Sequence, residues 1–214
     1  MKLNRYIDHT ILKATATVED IKKLCEEAKQ YNFYSVCVNG AYVGLACSEL
    51  MKTDVKIAAV VGFPLGGMTT KAKVFEAKQC IEDGATEIDM VLNIGLLKSG
   101  YHEIVRDEIA KIKKAIGDHV LKVIFENCYL TNDEKKIACQ LSIDAGADFI
   151  KTSTGFGDRG ATIEDIKLMK EVAKDSIQIK ASGGIRDLKT ALEYINMGVS
   201  RLGTSSGVAL VTLK

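Results

Sequence analysis

Two lysines lie inside short apolar segments, where lysine is seldom found. Lys151 follows the Phe-Ile pair at 149–150, and Lys180 follows the Ile-Gln-Ile segment at 177–179. A lysine in such a segment loses hydration, and burial or a second nearby cation lowers the pKa of an ammonium group. A lysine that is neutral near pH 7 is a nucleophile that can form a Schiff base with a carbonyl compound. The pair therefore indicates covalent carbonyl chemistry.

Elements that could position these lysines alternate along the chain. Short runs rich in Val, Ile and Phe predict eight strands: Tyr6–Thr10, Ser35–Asn39, Lys56–Phe63, Glu87–Asn93, Leu121–Glu126, Phe149–Thr154, Gln178–Ser182 and Arg201–Ser205. Segments of helical period predict helices between them: Val18–Tyr31, Ala41–Met51, Thr70–Asp83, Tyr101–Ile116, Asp133–Ala145, Ile163–Lys174, Leu188–Met197 and a short helix from Gly207. Such alternation predicts an α/β fold, a closed (β/α)8 TIM barrel forming one domain over residues 1–214. An open doubly wound sheet is the alternative, but no Gly-x-Gly-x-x-Gly turn follows the first strand.

Similar residues precede several of the predicted strands. Gly84, Gly146 and Gly198 stand at the ends of helical segments and predict left-handed C-caps, and Asn32 can take the same role. Aligning the strands on these caps places four residues at one level: Cys37, Asp89, Lys151 and Gly203. Catalytic groups of such barrels gather at the carboxyl ends of the strands. We therefore expect Asp89, Lys151 and Lys180 to converge there.

Two glycine-rich turns follow the last two predicted strands. The first contains Gly183, Gly184 and Arg186, and the second contains Gly203, Ser205 and Ser206. Turns after strands seven and eight of a barrel commonly bind phosphate, because glycine lets backbone N–H groups approach the oxygens. The two turns together predict a phosphorylated substrate.

Composition narrows the class of protein. The 214 residues are 47% hydrophobic and carry a formal net charge of +1, with no basic face for nucleic acid. We expect no membrane span and no signal peptide, and hence a cytoplasmic protein. The six cysteines are dispersed and none lies at metal-ligand spacing to a histidine, which predicts packing roles and no metal site. Cys37, on a predicted strand, is the alternative candidate for a catalytic thiol.

The sequence resembles the deoxyribose-phosphate aldolases, a family of class I (Schiff-base) aldolases. The resemblance spans essentially the whole chain and rests on residues 6–10, 35–39, 61–66, 87–91, 149–156, 180–186 and 203–206. It implies reversible cleavage of 2-deoxy-D-ribose 5-phosphate to D-glyceraldehyde 3-phosphate and acetaldehyde, without a metal or other cofactor. It also implies that Lys151 forms the Schiff base, and that Lys180 lowers the pKa of Lys151 and helps to move protons. Asp89 would donate and accept protons, acting through water.

Further residues match the family at the mouth of the barrel. Asp8 matches an acidic residue there, although an Asp capping a turn is an equal alternative. The phosphate region is matched by Thr154, Gly155, Gly183, Gly184, Ser205 and Ser206. Phe156 departs from the pattern, since some relatives have a lysine there. Either phosphate binding is weaker, or another cation such as Arg186 or Arg159 supplies the positive charge. Barrel enzymes of this kind often pair, so we expect a homo-oligomer, namely a dimer.

Other interpretations of the same residues remain open. A strand lysine can also extend its amine to solvent or form a structural ion pair with a carboxylate such as Asp89. Another barrel enzyme acting on a sugar phosphate, either a different Schiff-base aldolase or transaldolase or an isomerase, is the nearest alternative function. A catalytically silent barrel that binds phosphorylated metabolites would keep the glycine turns without needing both lysines.

Overall fold

Eight parallel strands close into a barrel in a computed structural model that describes residues 2–212. The strands are β1 (Ile7–Thr10), β2 (Ser35–Asn39), β3 (Lys56–Val61), β4 (Glu87–Val91), β5 (Val120–Ile124), β6 (Phe149–Lys151), β7 (Gln178–Ser182) and β8 (Arg201–Thr204). Each strand pairs with the next in sequence, and β8 pairs with β1. The predicted TIM barrel is confirmed; Met1, Leu213 and Lys214 of the predicted domain 1–214 lie outside the described residues.

Helices cover the outside of the barrel. They are α1 (Val18–Tyr31), α2 (Val43–Glu49), α3 (Thr70–Glu82), α4 (Ile94–Lys98), α5 (His102–Ile116), α6 (Asn132–Asp144), α7 (Ile163–Ala173), α8 (Leu188–Asn196) and α9 (Gly207–Thr212). Single 3-10 turns lie at Leu3–Tyr6, Gly40–Tyr42 and Asn127–Tyr129. None of the helices described within residues 2–212 is both long enough and apolar enough to cross a bilayer.

Several strands are shorter than predicted because the chain turns away from the sheet before the predicted end of the strand. The strand predicted to reach Asn93 stops at Val91, since the Asn93 side chain accepts the Leu96 N–H at 3.1 Å and caps α4. The sequence did not predict α4. The strand predicted to reach Thr154 stops at Lys151, and Thr154 Oγ1 accepts the Phe156 N–H at 3.0 Å. Local polar bonds therefore outweigh strand pairing at the mouth of the barrel.

The predicted left-handed caps are confirmed. Gly84, Gly146 and Gly198 have φ of +110°, +77° and +92°, and Asn32 has φ +52°. After each cap, a backbone N–H donates to the carbonyl five residues earlier, at 2.9–3.1 Å: Phe33 to Ala28, Ala85 to Cys80, Ala147 to Ser142 and Val199 to Tyr194. This is the long bond of the Schellman motif. The repeated sequence thus produces one repeated entry into β2, β4, β6 and β8.

Side-chain alternation separates a main core from a polar barrel interior. Outward residues such as Ile88, Met90 and Ile179 pack under the helices. A second, smaller apolar cluster lies apart from that core and consists of Leu12, Cys37, Ala58 and Val60, with Phe63 packed against it. Charged residues face the barrel interior from the other six strands, so the interior is apolar beside β2 and β3 and ionic beside β1 and β4 to β8.

A fully buried lysine of α3 forms an ion pair outside the barrel. Lys73 of α3 is fully buried, and its Nζ lies 2.6 Å from Oε1 of Glu108 on α5 and 2.8 Å from the Val91 carbonyl. Burial lowers the pKa of Lys73, and the Glu108 carboxylate opposes that effect. The pair joins α3, α5 and the end of β4.

Candidate active site

Lys151 and Lys180 meet at one carboxylate oxygen. Their Cα atoms are directly paired between β6 and β7. Lys151 Nζ lies 2.7 Å and Lys180 Nζ 2.9 Å from Oδ2 of Asp89 on β4. Asp89 and Lys180 are 0% exposed and Lys151 is 2% exposed. The three residues that the sequence predicted to converge are thus brought together.

Four further charged residues complete a buried ionic network. Lys180 Nζ bonds Asp8 Oδ2 at 2.5 Å, and Lys122 Nζ bonds Asp89 Oδ1 at 2.7 Å. Three more contacts close the set: Lys122 to Glu87 at 2.6 Å, Arg201 to Asp8 at 2.8 Å, and Arg201 to Glu87 at 3.0 Å. We call this set the barrel network: Asp8, Glu87, Asp89, Lys122, Lys151, Lys180 and Arg201. It holds four basic groups against three carboxylates, so it is electrically neutral when one base has lost its proton.

The charges of the network set the protonation states of Lys180 and Asp89. Burial by itself would lower the pKa of Lys180, but the nearby carboxylates of Asp8 and Asp89 outweigh it and raise the pKa. Burial opposes ionisation of Asp89, yet Lys122, Lys151 and Lys180 hold the pKa of Asp89 well below its usual range. Lys180 therefore stays an ammonium and Asp89 a carboxylate. Lys122, Lys151 and Lys180 thus all lie against the single carboxylate of Asp89.

A cleft of roughly 670 Å³ opens above the barrel network. Eight of the predicted site residues line it: Lys151, Thr154, Gly155, Gly183, Gly184, Arg186, Gly203 and Ser205. Gly183 and Gly184 have φ of +83° and +77°, which a side chain would strain, so the first turn requires glycine there. Ser206 lies just outside this lining, and its N–H donates to Thr204 Oγ1 at 2.9 Å.

Asp8, Asp89, Lys180 and Cys37 lie beneath the cleft. Asp8 makes bonds to Lys180 and Arg201, so it is part of the barrel network and does not cap a turn. Cys37 is 0% exposed and belongs to the small apolar cluster. Burial and the Asp89 charge raise the pKa of its thiol, which opposes formation of a reactive thiolate.

Comparison with known proteins identifies the family. The DeoC/LacD family aldolase pattern matches residues 3–210. The chain belongs to this family. A deoxyribose-phosphate aldolase of Alkaliphilus oremlandii is 58% identical over 212 residues, which cover 99% of this chain and 96% of the relative.

Solved structures of the DeoC/LacD aldolase family share the barrel closely. A putative deoxyribose-phosphate aldolase from Coccidioides immitis superposes with a TM-score of 0.97 at 42% identity and covers 98% of this chain and 84% of its own. A deoxyribose phosphate aldolase from Aeropyrum pernix, described as uniquely tetrameric, superposes with a TM-score of 0.90 at 33% identity and covers 98% of this chain and 89% of its own.

Some residues of the site in this DeoC/LacD family member were not found from sequence. Lys122 lies in the apolar run of β5 and carries the same signal as Lys151 and Lys180, so the pattern that revealed those lysines could also have revealed it. Arg201 begins β8 and has no comparable signal. Within residues 2–212, no group of three or more His, Cys, Asp or Glu side chains is placed to hold a metal ion.

Proposed function

We propose that the chain is a class I aldolase that reversibly cleaves 2-deoxy-D-ribose 5-phosphate to D-glyceraldehyde 3-phosphate and acetaldehyde. One observation carries the assignment of the nucleophile. Lys151 lines the cleft, whereas Lys122 and Lys180 are fully buried beneath it and do not line it. The names and identity of the relatives support the choice of substrate. A phosphorylated aldehyde can thus reach one amine of the network.

The reaction begins with the Lys151 amine attacking C1 of the open-chain sugar. A carbinolamine forms, water leaves, and the nitrogen becomes an iminium. The iminium withdraws electrons, so the bond between C2 and C3 breaks when the C3 hydroxyl gives up its proton. D-Glyceraldehyde 3-phosphate leaves with C3 as its aldehyde carbon, and an enamine stays on Lys151. Protonation of C2 and hydrolysis then release acetaldehyde and the free amine.

Lys180 and Asp89 have different parts in these steps. Lys180, whose pKa the carboxylates raise, remains a fixed cation and disfavours a second ammonium at Lys151. Asp89 holds the Lys151 nitrogen at 2.7 Å. Its lowered pKa makes it a poor store of protons, so we propose that it passes the proton between C3 hydroxyl and C2 through a water molecule without retaining it.

The glycine turns after β7 and β8 supply the phosphate site in this proposal. Gly183, Gly184 and Gly203 bring backbone close to the cleft, and Ser205 adds a hydroxyl. Arg186 is exposed and also lines the cleft. Its guanidinium therefore supplies the positive charge that some relatives obtain from a lysine in place of Phe156. Ser206 would add a second hydroxyl to the same turn, whose backbone is held by the Ser206 N–H bond to Thr204 Oγ1.

Reductive trapping tests the proposal directly. The protein is incubated with 2-deoxyribose 5-phosphate and borohydride, and the modified peptide is located by mass spectrometry. We expect a reduced adduct on Lys151. The adduct should be absent from Lys151→Ala and present in the control Lys111→Ala, which replaces an exposed lysine of α5. An adduct on Lys180 would exchange the two roles. No adduct in a protein that binds the sugar phosphate would favour an isomerase or a silent binding protein.

We further infer that residues 1–214 act as one cytoplasmic domain and that the chain forms a homodimer. All six cysteines are free, as is usual in a reducing compartment. Phe75, Tyr101 and Ile104, on α3 and at the start of α5, are 71%, 56% and 48% exposed, and such apolar exposure favours an interface. Light scattering of the wild type and of Phe75→Glu tests the dimer: the wild type should have twice the chain mass and the variant the mass of one chain.

A further inference from the structure

Glu126 has an unusual backbone at the end of β5. Its φ of 55° and ψ of 66° are left-handed, which is uncommon for a residue other than glycine. The side chain is 2% exposed, and within residues 2–212 no Lys, Arg or His lies within ion-pair distance of its carboxylate. Conformations of this kind persist where the surroundings require them and cluster at functional sites.

The carboxylate of Glu126 is directed at Thr154, which lines the cleft. Oε2 of Glu126 accepts hydrogen bonds from the Thr154 hydroxyl and, at 3.3 Å, from the Thr154 backbone N–H. A Cβ added to Gly157 would come within 2.9 Å of the Glu126 carboxyl carbon, so the loop 154–157 packs directly on this side chain. Glu126 thereby fixes the wall of the cleft three residues beyond Lys151.

These bonds determine what the Thr154 hydroxyl can offer to a ligand. A threonine hydroxyl has one donor and two acceptor lone pairs. The donor is used by Glu126, and one lone pair accepts the Phe156 N–H at 3.0 Å. One lone pair remains for the cleft. It can accept a hydrogen bond from a hydroxyl group, but it cannot donate one to a phosphate oxygen.

We propose that Glu126 is a positioning residue that makes Thr154 a hydrogen-bond acceptor, so that the site selects substrates with a hydroxyl next to the reacting carbon. The proposal rests on the proposed function. With C1 on Lys151 and the phosphate on C5 at the glycine turns, the hydroxyls between them are those of C3 and C4. The C3 hydroxyl gives up its proton during cleavage, so the C4 hydroxyl is the donor that persists. In the reverse reaction, this is the C2 hydroxyl of D-glyceraldehyde 3-phosphate.

Two variants of Glu126 separate this role from general packing. Glu126→Asn keeps a residue type that adopts left-handed backbone readily, but its side chain is one methylene too short to reach the Thr154 hydroxyl. Glu126→Gln keeps the reach and one acceptor oxygen. Thr154→Val removes the hydroxyl, and Thr154→Ser keeps it.

The measurement is aldol addition of acetaldehyde to D-glyceraldehyde 3-phosphate and to 3-oxopropyl phosphate, which lacks the hydroxyl. We expect Glu126→Asn and Thr154→Val each to lose about tenfold of the wild-type preference in kcat/KM for the hydroxylated aldehyde, as for one hydrogen bond. Glu126→Gln and Thr154→Ser should retain most of it. The double variant Glu126→Asn/Thr154→Val should lose no more than either single variant, because both remove the same bond.

Borohydride trapping of acetaldehyde on Lys151 serves as the control for folding in every variant, since acetaldehyde has no hydroxyl to be selected. A wild-type preference in Glu126→Asn, or additive losses in the double variant, would overturn the role of Glu126. If Glu126→Asn does not trap acetaldehyde, the test rests on comparing Thr154→Val with Thr154→Ser. An unchanged preference for the hydroxylated aldehyde in Thr154→Val would then overturn the proposal. A wild-type protein that neither traps nor condenses acetaldehyde would instead refute the proposed function.

Discussion

The nitrogen of Lys151 and that of Lys180 share a single oxygen of Asp89, at 2.7 and 2.9 Å. Direct pairing of the two lysines between β6 and β7 produces this arrangement, because paired residues of adjacent parallel strands point to the same side of the sheet. The difference between them lies in their other contacts. Lys180 also bonds Asp8, whereas Lys151 borders the cleft. In the proposed mechanism, Lys180 is therefore the fixed cation and Lys151 is the amine that reacts.

Replacing Lys151 by alanine should abolish turnover and preserve the fold. The amine is the proposed nucleophile, and its removal leaves Asp8, Asp89 and Lys180 bonded to one another. Release of D-glyceraldehyde 3-phosphate in a coupled assay measures the loss, and thermal unfolding measures the fold. Lys111→Ala, at an exposed position of α5, should behave as the wild type. Activity near that of the wild type in Lys151→Ala would remove Lys151 from the mechanism.

Lys180→Leu should lower kcat/KM at neutral pH by at least about a hundredfold. Without the fixed positive charge of Lys180, Asp89 is left to pair with a protonated Lys151, and a protonated amine cannot attack the carbonyl carbon. Activity should therefore recover partly as the pH is raised, which a pH–rate profile would show. The exposed Lys167→Leu is the matched control. A profile that keeps its shape in Lys180→Leu would contradict the electrostatic role.

Arg186→Ala should raise KM for 2-deoxyribose 5-phosphate by roughly three- to tenfold, as expected for an exposed cation that pairs with phosphate. Arg186 is exposed and lines the cleft. Cleavage of unphosphorylated 2-deoxyribose should be unchanged, because it has no group for the guanidinium to pair with. Steady-state kinetics on both sugars tests this prediction. Arg106→Ala, at a position on α5, is the control. Equal losses on the two sugars would place Arg186 outside the phosphate site.

The pH dependence of stability follows from the carboxylates of the barrel network. Despite burial, Lys180 and Arg201 hold the pKa of Asp8 below its ordinary value of 3.8, and the pKa of Asp89 is also lowered. The unfolded chain therefore binds protons first as the pH falls. The contribution of these groups is fully present above about pH 4 and is lost below it, by about 1.4 kcal/mol per pH unit for each group. Urea unfolding from pH 6 to pH 3 measures this slope.

Asp8→Asn measures how much the Asp8 carboxyl contributes to the slope of unfolding free energy against pH. It lacks the titrating carboxyl, so its free energy of unfolding should fall less steeply below pH 4 than that of the wild type. The variant should also be less stable at pH 6, because Lys180 and Arg201 lose a buried partner. An identical slope in the two proteins would show that Asp8 keeps its ordinary pKa.

The buried pair of Lys73 and Glu108 predicts a stability effect apart from catalysis. Lys73→Met should cost about 3–5 kcal/mol of unfolding free energy, because Glu108 is left buried without a cation. Lys73→Met/Glu108→Leu should recover most of this loss. Urea unfolding checks both variants, and kcat/KM at 25 °C should stay near the wild-type value in the double variant. A double variant as unstable as the single one would contradict the explanation.

The fold was predictable from the sequence because three independent patterns all indicated the same alternation of strands and helices. Apolar runs, helical periods and the caps at Asn32, Gly84, Gly146 and Gly198 all required parallel strands entered by the same turn. The ends of the strands were less predictable. Near Asn93 and Thr154, side-chain bonds to nearby N–H groups turn the chain away from the sheet before the predicted end of the strand.

Only part of the site could be predicted from the sequence, namely the part that depends on the level of a residue along its strand and on side-chain alternation. Both place Asp89 with Lys151, but neither distinguishes a reactive lysine from a structural one. Lys73 and Lys122 are as fully buried as Lys180, and what sets Lys151 apart is its position on the cleft. Glu126 could not be found either, because its importance depends on a backbone conformation that follows from the packing of loop 154–157.

The barrel network draws its charges from β1, β4, β5, β6, β7 and β8, and its bonds between Asp8 and both Lys180 and Arg201 join residues 172 and 193 positions apart. A half-barrel or a chain lacking its last strand would leave those charges unmatched, so the reactive amine exists only after the first strand has met the last. Enzymatic turnover would consequently report completion of folding itself: during refolding, activity should return no earlier than closure between β1 and β8.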